Sequence, residues 1–140
     1  MPQFVLNIGD DTGEAWLAAQ DEFTRGYVEA MFFTSAGPDD ELDAAAVSDM
    51  APETLAAIML DCATFQAQNA DDITEACDNG RINGYDMAAA GRDYWYSRNG
   101  HGVGYFDREL GAVGDKLDMA AHDACESCLY RGDDGLLYLD

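Results

Sequence analysis

The stretch DYWYSRNGHGVGYFD, Asp93 to Asp107, decides how this chain is expected to fold. Asn99-Gly100 is a strong short signal for a two-residue hairpin turn, because both residues tolerate positive φ. Aromatic residues flank it on both sides, Tyr94, Trp95 and Tyr96 before it and Tyr105 and Phe106 after it. Such residues suit a pleated, half-buried surface. The pattern therefore predicts a β-hairpin over 94–106. A second hairpin is expected from Cys128 to Tyr138, turning at Gly132-Asp133-Asp134-Gly135.

Upstream the periodicity is helical. Between Gly13 and Ala36, Trp16, Phe23, Tyr27 and Met31 fall on one stripe, and Gly37-Pro38 ends the segment. A second helix opens at Pro52, where a missing N–H costs nothing, and Leu55, Ile58, Met59, Cys62, Phe65 and Ile73 mark its buried face. Asp78-Asn79-Gly80 stops it. A short helical piece is expected around Tyr85 to Ala90, and a last helix from about Glu109 to Ala124. No βαβ alternation is present. The expected fold class is α+β, with helices packed on two β-hairpins that form a small antiparallel sheet, in a single domain over 1–140.

With 48% hydrophobic and 11% aromatic residues, a chain of 140 residues can bury an ordinary core, so disorder is not expected. No apolar run reaches the 18 or so residues of a membrane-spanning helix. The opening MPQFVLNIGDD lacks the basic and long apolar regions of a secretory signal, which predicts a cytoplasmic location. Cys62, Cys77, Cys125 and Cys128 are then expected as free, buried thiols.

The charge is the outlier. There are 28 acidic residues against 7 basic ones, a net charge of −21, and Arg25 alone faces 13 carboxylates in the first 70 positions. Such a field repels nucleic acid and anionic lipid and attracts basic proteins. Direct binding to DNA or to a membrane is therefore disfavoured. Of the 28 acids 20 are Asp, and Arg outnumbers Lys six to one. The same bias arises from a GC-rich genome or from adaptation to high salt.

The stretch AGRDYWYSRNGHGVGYFDRELG, Ala90 to Gly111, resembles a block in small proteins encoded by bacteriophages and mobile elements. Pro52-Glu53, Cys62-Ala63-Thr64-Phe65 and the ending from Tyr130 to Tyr138 extend the similarity to about the last two thirds of the chain. The resemblance implies a phage origin and an accessory role, and it brings no established reaction. Two features depart from that pattern: Ala51 stands where relatives place a capping Ser, and Cys125 and Cys128 are not part of it.

Several groupings invite a chemical reading. Asp93, Arg98, Asn99, His101 and Asp107 put acid, base and imidazole near one turn, but no Ser or Cys nucleophile is close in sequence, and a locked turn is the simpler reading. Cys125-x-x-Cys128 has the spacing of half a zinc site; Cys62 and Cys77, separated by 14 residues along a helical region, do not make the other half. Asp133-Asp134-Gly135 lacks the alternating carboxylates and final Glu of a calcium loop. The glycines at 100, 102 and 104 do not open a helix after a strand, so no phosphate loop is read there. His122 is expected on a solvated helix face. The chain is accordingly expected to be a binding protein and not an enzyme, with no catalytic residue, no metal and no cofactor.

The favoured function is a phage-encoded inhibitor whose carboxylates imitate the charge array of DNA in the groove of a basic, nucleic-acid-binding host protein, of defence or nucleoid type. The expected contacts are Asp39, Asp40, Glu41, Asp43, Asp71, Asp72 and Glu75, with Trp95, Arg98 and His101 as a secondary contact. The alternative is a small virion structural or assembly factor that binds through the aromatic hairpin. A homodimer is compatible with either.

Overall fold

Two aspartates set the beginning of the chain's helices. Asp10 accepts the N–H groups of Thr12 at 3.0 Å and Gly13 at 3.2 Å and opens α1, Asp11–Ala18. Asp21 accepts the Thr24 N–H at 2.8 Å and opens α2, Glu22–Ser35. A carboxylate at this position satisfies a backbone donor that the first turn leaves unpaired. The single helix expected over Gly13 to Ala36 is thus two helices. The computed structural model describes residues 6–35 and 45–140.

The second expected helix also divides. α3, Pro52–Gln68, ends at Asn69, whose side chain donates back to the Phe65 carbonyl at 2.9 Å, and α4 runs over Ala70–Gly80. Ala51 supplies no cap to α3. In compensation its N–H donates to the Leu137 carbonyl at 3.1 Å, and the Thr54 hydroxyl donates to the same oxygen at 2.8 Å. The C-terminal strand therefore seals the helix start that a capping side chain would otherwise hold.

The stretch from Asp93 to Asp107 is not a hairpin. Residues Met87–Asn99 form α5, and Gly100 ends it at φ 63°. The Gly100 N–H donates to Ser97 O at 3.3 Å and the His101 N–H to Tyr96 O at 3.1 Å, the paired bonds of a Schellman cap. Asn-Gly is used for its positive φ, as a helix stop and not as a strand turn. Gly102 and Gly104 carry the chain on at positive φ to a single 3₁₀ turn, Tyr105–Asp107. α6, Ala112–Asp123, follows. The second expected hairpin is present: β1, Leu129–Arg131, pairs antiparallel with β2, Leu137–Leu139, with Tyr130 opposite Tyr138. The chain is α+β, six helices with one two-stranded sheet among the described residues.

The centre of the molecule is the packing of α5 on α2. Their backbones approach at two glycines: a Cβ added to Gly91 would stand 1.8 Å from the Phe23 carbonyl oxygen, and one on Gly26 would stand 2.0 Å from that of Ala88. Around this crossing the aromatic residues converge. Tyr94 stacks on Phe65 with centroids 4.0 Å apart, and Trp95 meets Tyr27 edge-on at 5.4 Å. The hydrophobic segment read as a half-buried strand is instead buried on consecutive positions, which a central helix does and a two-faced strand cannot.

Candidate functional site

Arg98 is the ionic centre of the interior. It is 7% exposed and uses four acceptors: Nη1 donates to the Tyr27 hydroxyl at 2.9 Å and to Asp61 at 3.3 Å, Nε to the Cys125 carbonyl at 2.8 Å, and Nη2 to the Ala124 carbonyl at 2.9 Å. Its guanidinium also lies over the Tyr94 ring. One side chain therefore ties α2, α3, α5 and the end of α6 together. The planar fork of arginine suits this divergent set of acceptors.

Asp93 forms a second buried ionic site. Its carboxylate accepts from the Tyr85 hydroxyl at 2.7 Å and from Arg108 Nε and Nη2, the latter at 3.0 Å. Burial pushes the Asp93 carboxyl above its ordinary range, against the opposing pull of Arg108 and Tyr85. Burial likewise raises the Tyr85 phenol, with the neighbouring carboxylate acting in the same direction. Both Asp93 carboxylate oxygens have partners inside the fold, so the cluster is a structural pin for α5 and the segment after it.

These two sites account for most of the catalytic grouping read from sequence. Trp95, at 2% exposure, donates its indole N–H to the Thr34 hydroxyl at 2.8 Å and is almost wholly withdrawn from solvent. Arg98 is equally withdrawn. Asn99 caps locally, donating to Trp95 O at 3.0 Å and accepting the Ser127 N–H at 2.8 Å. His101 is exposed just past the helix end, with its ring edge-on to Tyr96. Asp107 is exposed on the 3₁₀ turn. Of the secondary contact Trp95, Arg98 and His101, the structure leaves His101 alone at the surface.

The acidic residues divide in the same way. Asp39, Asp40, Glu41 and Asp43 lie outside the described residues. Asp71, Asp72 and Glu75 stand on α4, where Asp71 and Glu75 are exposed and Asp72 is half-buried. Asp78, not singled out from sequence, extends the row. At 100° per residue, Asp71, Glu75 and Asp78 fall within about 60° of one another around the helix. Their spacing of four and three is visible in the sequence once the segment is known to be helical. Among the described residues, exposed carboxylates sit on every helix except α5, and the row on α4 is the densest of them.

The cysteines separate into two kinds. Cys62 is buried against α2, and burial pushes its thiol far up. Cys77 is half-buried beside Met87 with its thiol also raised by burial. Cys125 and Cys128 are both exposed, contrary to the expectation of buried thiols. Cys128 lies on the wall of an open cleft of about 790 Å³, formed between the ends of α2 and α5 and strand β1, with Trp95, Asn99, His101, Ser127 and Tyr130 also lining it. No cluster of three or more His, Cys, Asp or Glu side chains arranged for a metal ion occurs among the described residues. No helix among them is long and apolar enough to cross a membrane.

No protein-family model matches the chain, and neither a curated protein nor a solved structure matches it. Its function is therefore read from its own residues.

Proposed function

We propose that the chain is a binding protein whose fixed carboxylates occupy the basic, nucleic-acid-binding groove of a host protein, in the manner of a DNA mimic. The observation that carries this reading is the row on α4. Asp71, Glu75 and Asp78 lie on one face along about 10.5 Å of helix axis, about one carboxylate per 5 Å. A strand of DNA likewise presents fixed anions in a line, more closely set, at one phosphate per roughly 3.4 Å of axis. Helix geometry holds these groups in place, so their ordering on binding is largely settled by folding.

The fate of the cations supports the same reading. Arg98 is committed to the interior, and Arg108 is turned onto Asp93. Arg92 reaches Glu29 at 3.4 Å. These three charges stabilise the fold away from the outer surface of α4, while Arg81 stands exposed at the C-terminal end of that helix. The acidic residues Asp39, Asp40, Glu41 and Asp43 belong to the proposed contact set as well, as do the phage origin and anti-defence role that the resemblance of Ala90 to Gly111 implies.

The test is substitution on α4. The triple variant Asp71→Asn, Asp72→Asn, Glu75→Gln keeps helical side chains of the same size and removes the charge. It is expected to retain its melting temperature within a few degrees and to lose capture of basic host proteins. Full capture by the folded triple variant would remove α4 from the interface.

A further inference from the structure

Four thiols are present in the chain, and two of them share one short loop at the edge of a cleft. Cys125 and Cys128 are exposed, while Cys62 is sealed in the core and Cys77 is half-buried. The loop that carries the exposed pair is pinned by backbone contacts to α5 and β2. Arg98 holds the Cys125 carbonyl at 2.8 Å, the Asn99 side chain holds the Ser127 N–H at 2.8 Å, and the Cys128 carbonyl accepts the Asp140 N–H at 2.9 Å. Cys125 sits at φ 67°, a left-handed conformation that a non-glycine residue rarely adopts. Strain of this kind in a residue fixed by its surroundings is common where a backbone is shaped for function.

We infer that Cys125 and Cys128 form a thiol–disulfide exchange site that reacts with small, cationic disulfides entering the cleft. Cys128 stands on the cleft wall and takes the first step; Cys125, at the end of α6, is the resolving thiol. The Cys128 thiolate attacks one sulfur of R–S–S–R. The S–S bond of the reagent breaks, a Cys128–S–R bond forms, and the departing RS⁻ takes up the proton that Cys128 released to solvent. The Cys125 thiolate then attacks Cys128 Sγ and expels the second RS⁻, which is protonated in turn. The chain loses two electrons and two protons to become the Cys125–Cys128 disulfide, and the reagent leaves as two thiols.

The charge preference follows from the setting. Glu126 lies between the two cysteines, Asp123 precedes them, Asp140 lines the cleft, and the whole chain carries −21. An anionic disulfide such as oxidised glutathione is repelled on approach, whereas a dication such as cystamine is drawn in. Selectivity among the cysteines comes from burial, since Cys62 is sealed in the core and Cys77 is half-buried against Met87.

The test uses the reduced full-length chain with cystamine or oxidised glutathione, acid quenching, tryptic digestion and mass spectrometry. Cleavage after Lys116 and Arg131 yields the peptide Leu117–Arg131, which contains Cys125 and Cys128 and neither of the other cysteines. The expected product is this peptide lighter by two hydrogens and free of adduct. Cys125→Ser is expected to accumulate a stable cysteamine adduct on Cys128. Cystamine is expected to react at least about tenfold faster than oxidised glutathione at low salt, with the ratio shrinking as salt is added. Adducts on both cysteines of the unaltered chain without ring closure, disulfide-linked dimers as the main product, or equal rates for the two reagents at low salt would each overturn the assignment.

Discussion

Arg98 donates a hydrogen bond from Nη1 to the Tyr27 hydroxyl at 2.9 Å, joining α5 to α2 across 71 residues of sequence. The same guanidinium holds the Ala124 and Cys125 carbonyls just past α6 and reaches Asp61 on α3, so one buried cation fixes the relative positions of four helices. Removing it leaves the Tyr27 hydroxyl and two carbonyl oxygens without their donor. Arg98→Leu is expected to cost about 3 kcal/mol in urea unfolding, and Arg98→Lys, which cannot reproduce the fork, about 2 kcal/mol. A loss below about 1 kcal/mol for the leucine variant would show that the interior does not depend on this network.

The crossing of α2 and α5 makes a second demand. A Cβ at Gly91 would collide with backbone, the Phe23 carbonyl oxygen at 1.8 Å, which no side-chain rotation can relieve. Gly91→Ala is expected to destabilise by about 3 kcal/mol or to prevent folding. Gly100→Ala is the control, because a Cβ there meets nothing within 4 Å and the penalty is the left-handed φ alone, about 1 kcal/mol. Thermal unfolding of the two variants side by side separates helix contact from helix capping, and equal losses would contradict the close approach.

The pH dependence has a definite sign. Burial holds the Asp93 carboxyl above its ordinary range, so between the unfolded and folded values the native chain holds the extra proton. Stability from this group is present at low pH and falls as pH rises through that window. Self-repulsion of 28 acidic residues acts in the same direction. Asp21 opposes both: burial, which would raise it, is outweighed by hydrogen bonds from Thr24 and Gln66, so its carboxyl lies low and its contribution is lost only in stronger acid. The melting temperature is therefore expected to rise as pH is lowered from neutrality towards the ordinary carboxylate range, and Asp93→Asn to reduce that slope. Calorimetry showing a steady fall over the same interval would contradict the assignment.

Much of this architecture was legible in the residues, and the misreadings have physical causes. The start of α3 at Pro52, the last helix and the hairpin at 128–138 follow from the fixed φ of proline, from period and from turn chemistry. The hairpin expected at 94–106 failed because Asn99-Gly100 marks a positive φ without saying whether a strand or a helix precedes it. The answer lay in tertiary burial. Tyr94 and Trp95 are adjacent and both interior, because α5 is surrounded on several sides. The breaks at Asp21 and Asn69 were hidden because a stripe of apolar residues continues across a cap when two helices share one core. For the site, Asp71, Asp72 and Glu75 were named from charge, whereas Asp78 required the helix register. Trp95 and Arg98 were placed at a surface because their partners, Thr34, Tyr27 and the carbonyls of Ala124 and Cys125, are distant in sequence.

The most direct test of the central claim is competition for whatever the anionic surface binds. The purified chain is immobilised and exposed to host lysate cleared of nucleic acid, and bound proteins are identified by mass spectrometry after washing at about 0.05 M or about 0.5 M salt, with or without added duplex DNA. DNA-binding proteins are expected to be retained at low salt, released at high salt and displaced by the duplex, and none should be retained by the α4 triple variant. Retention that withstands both the duplex and the high-salt wash would contradict a mimic of DNA charge.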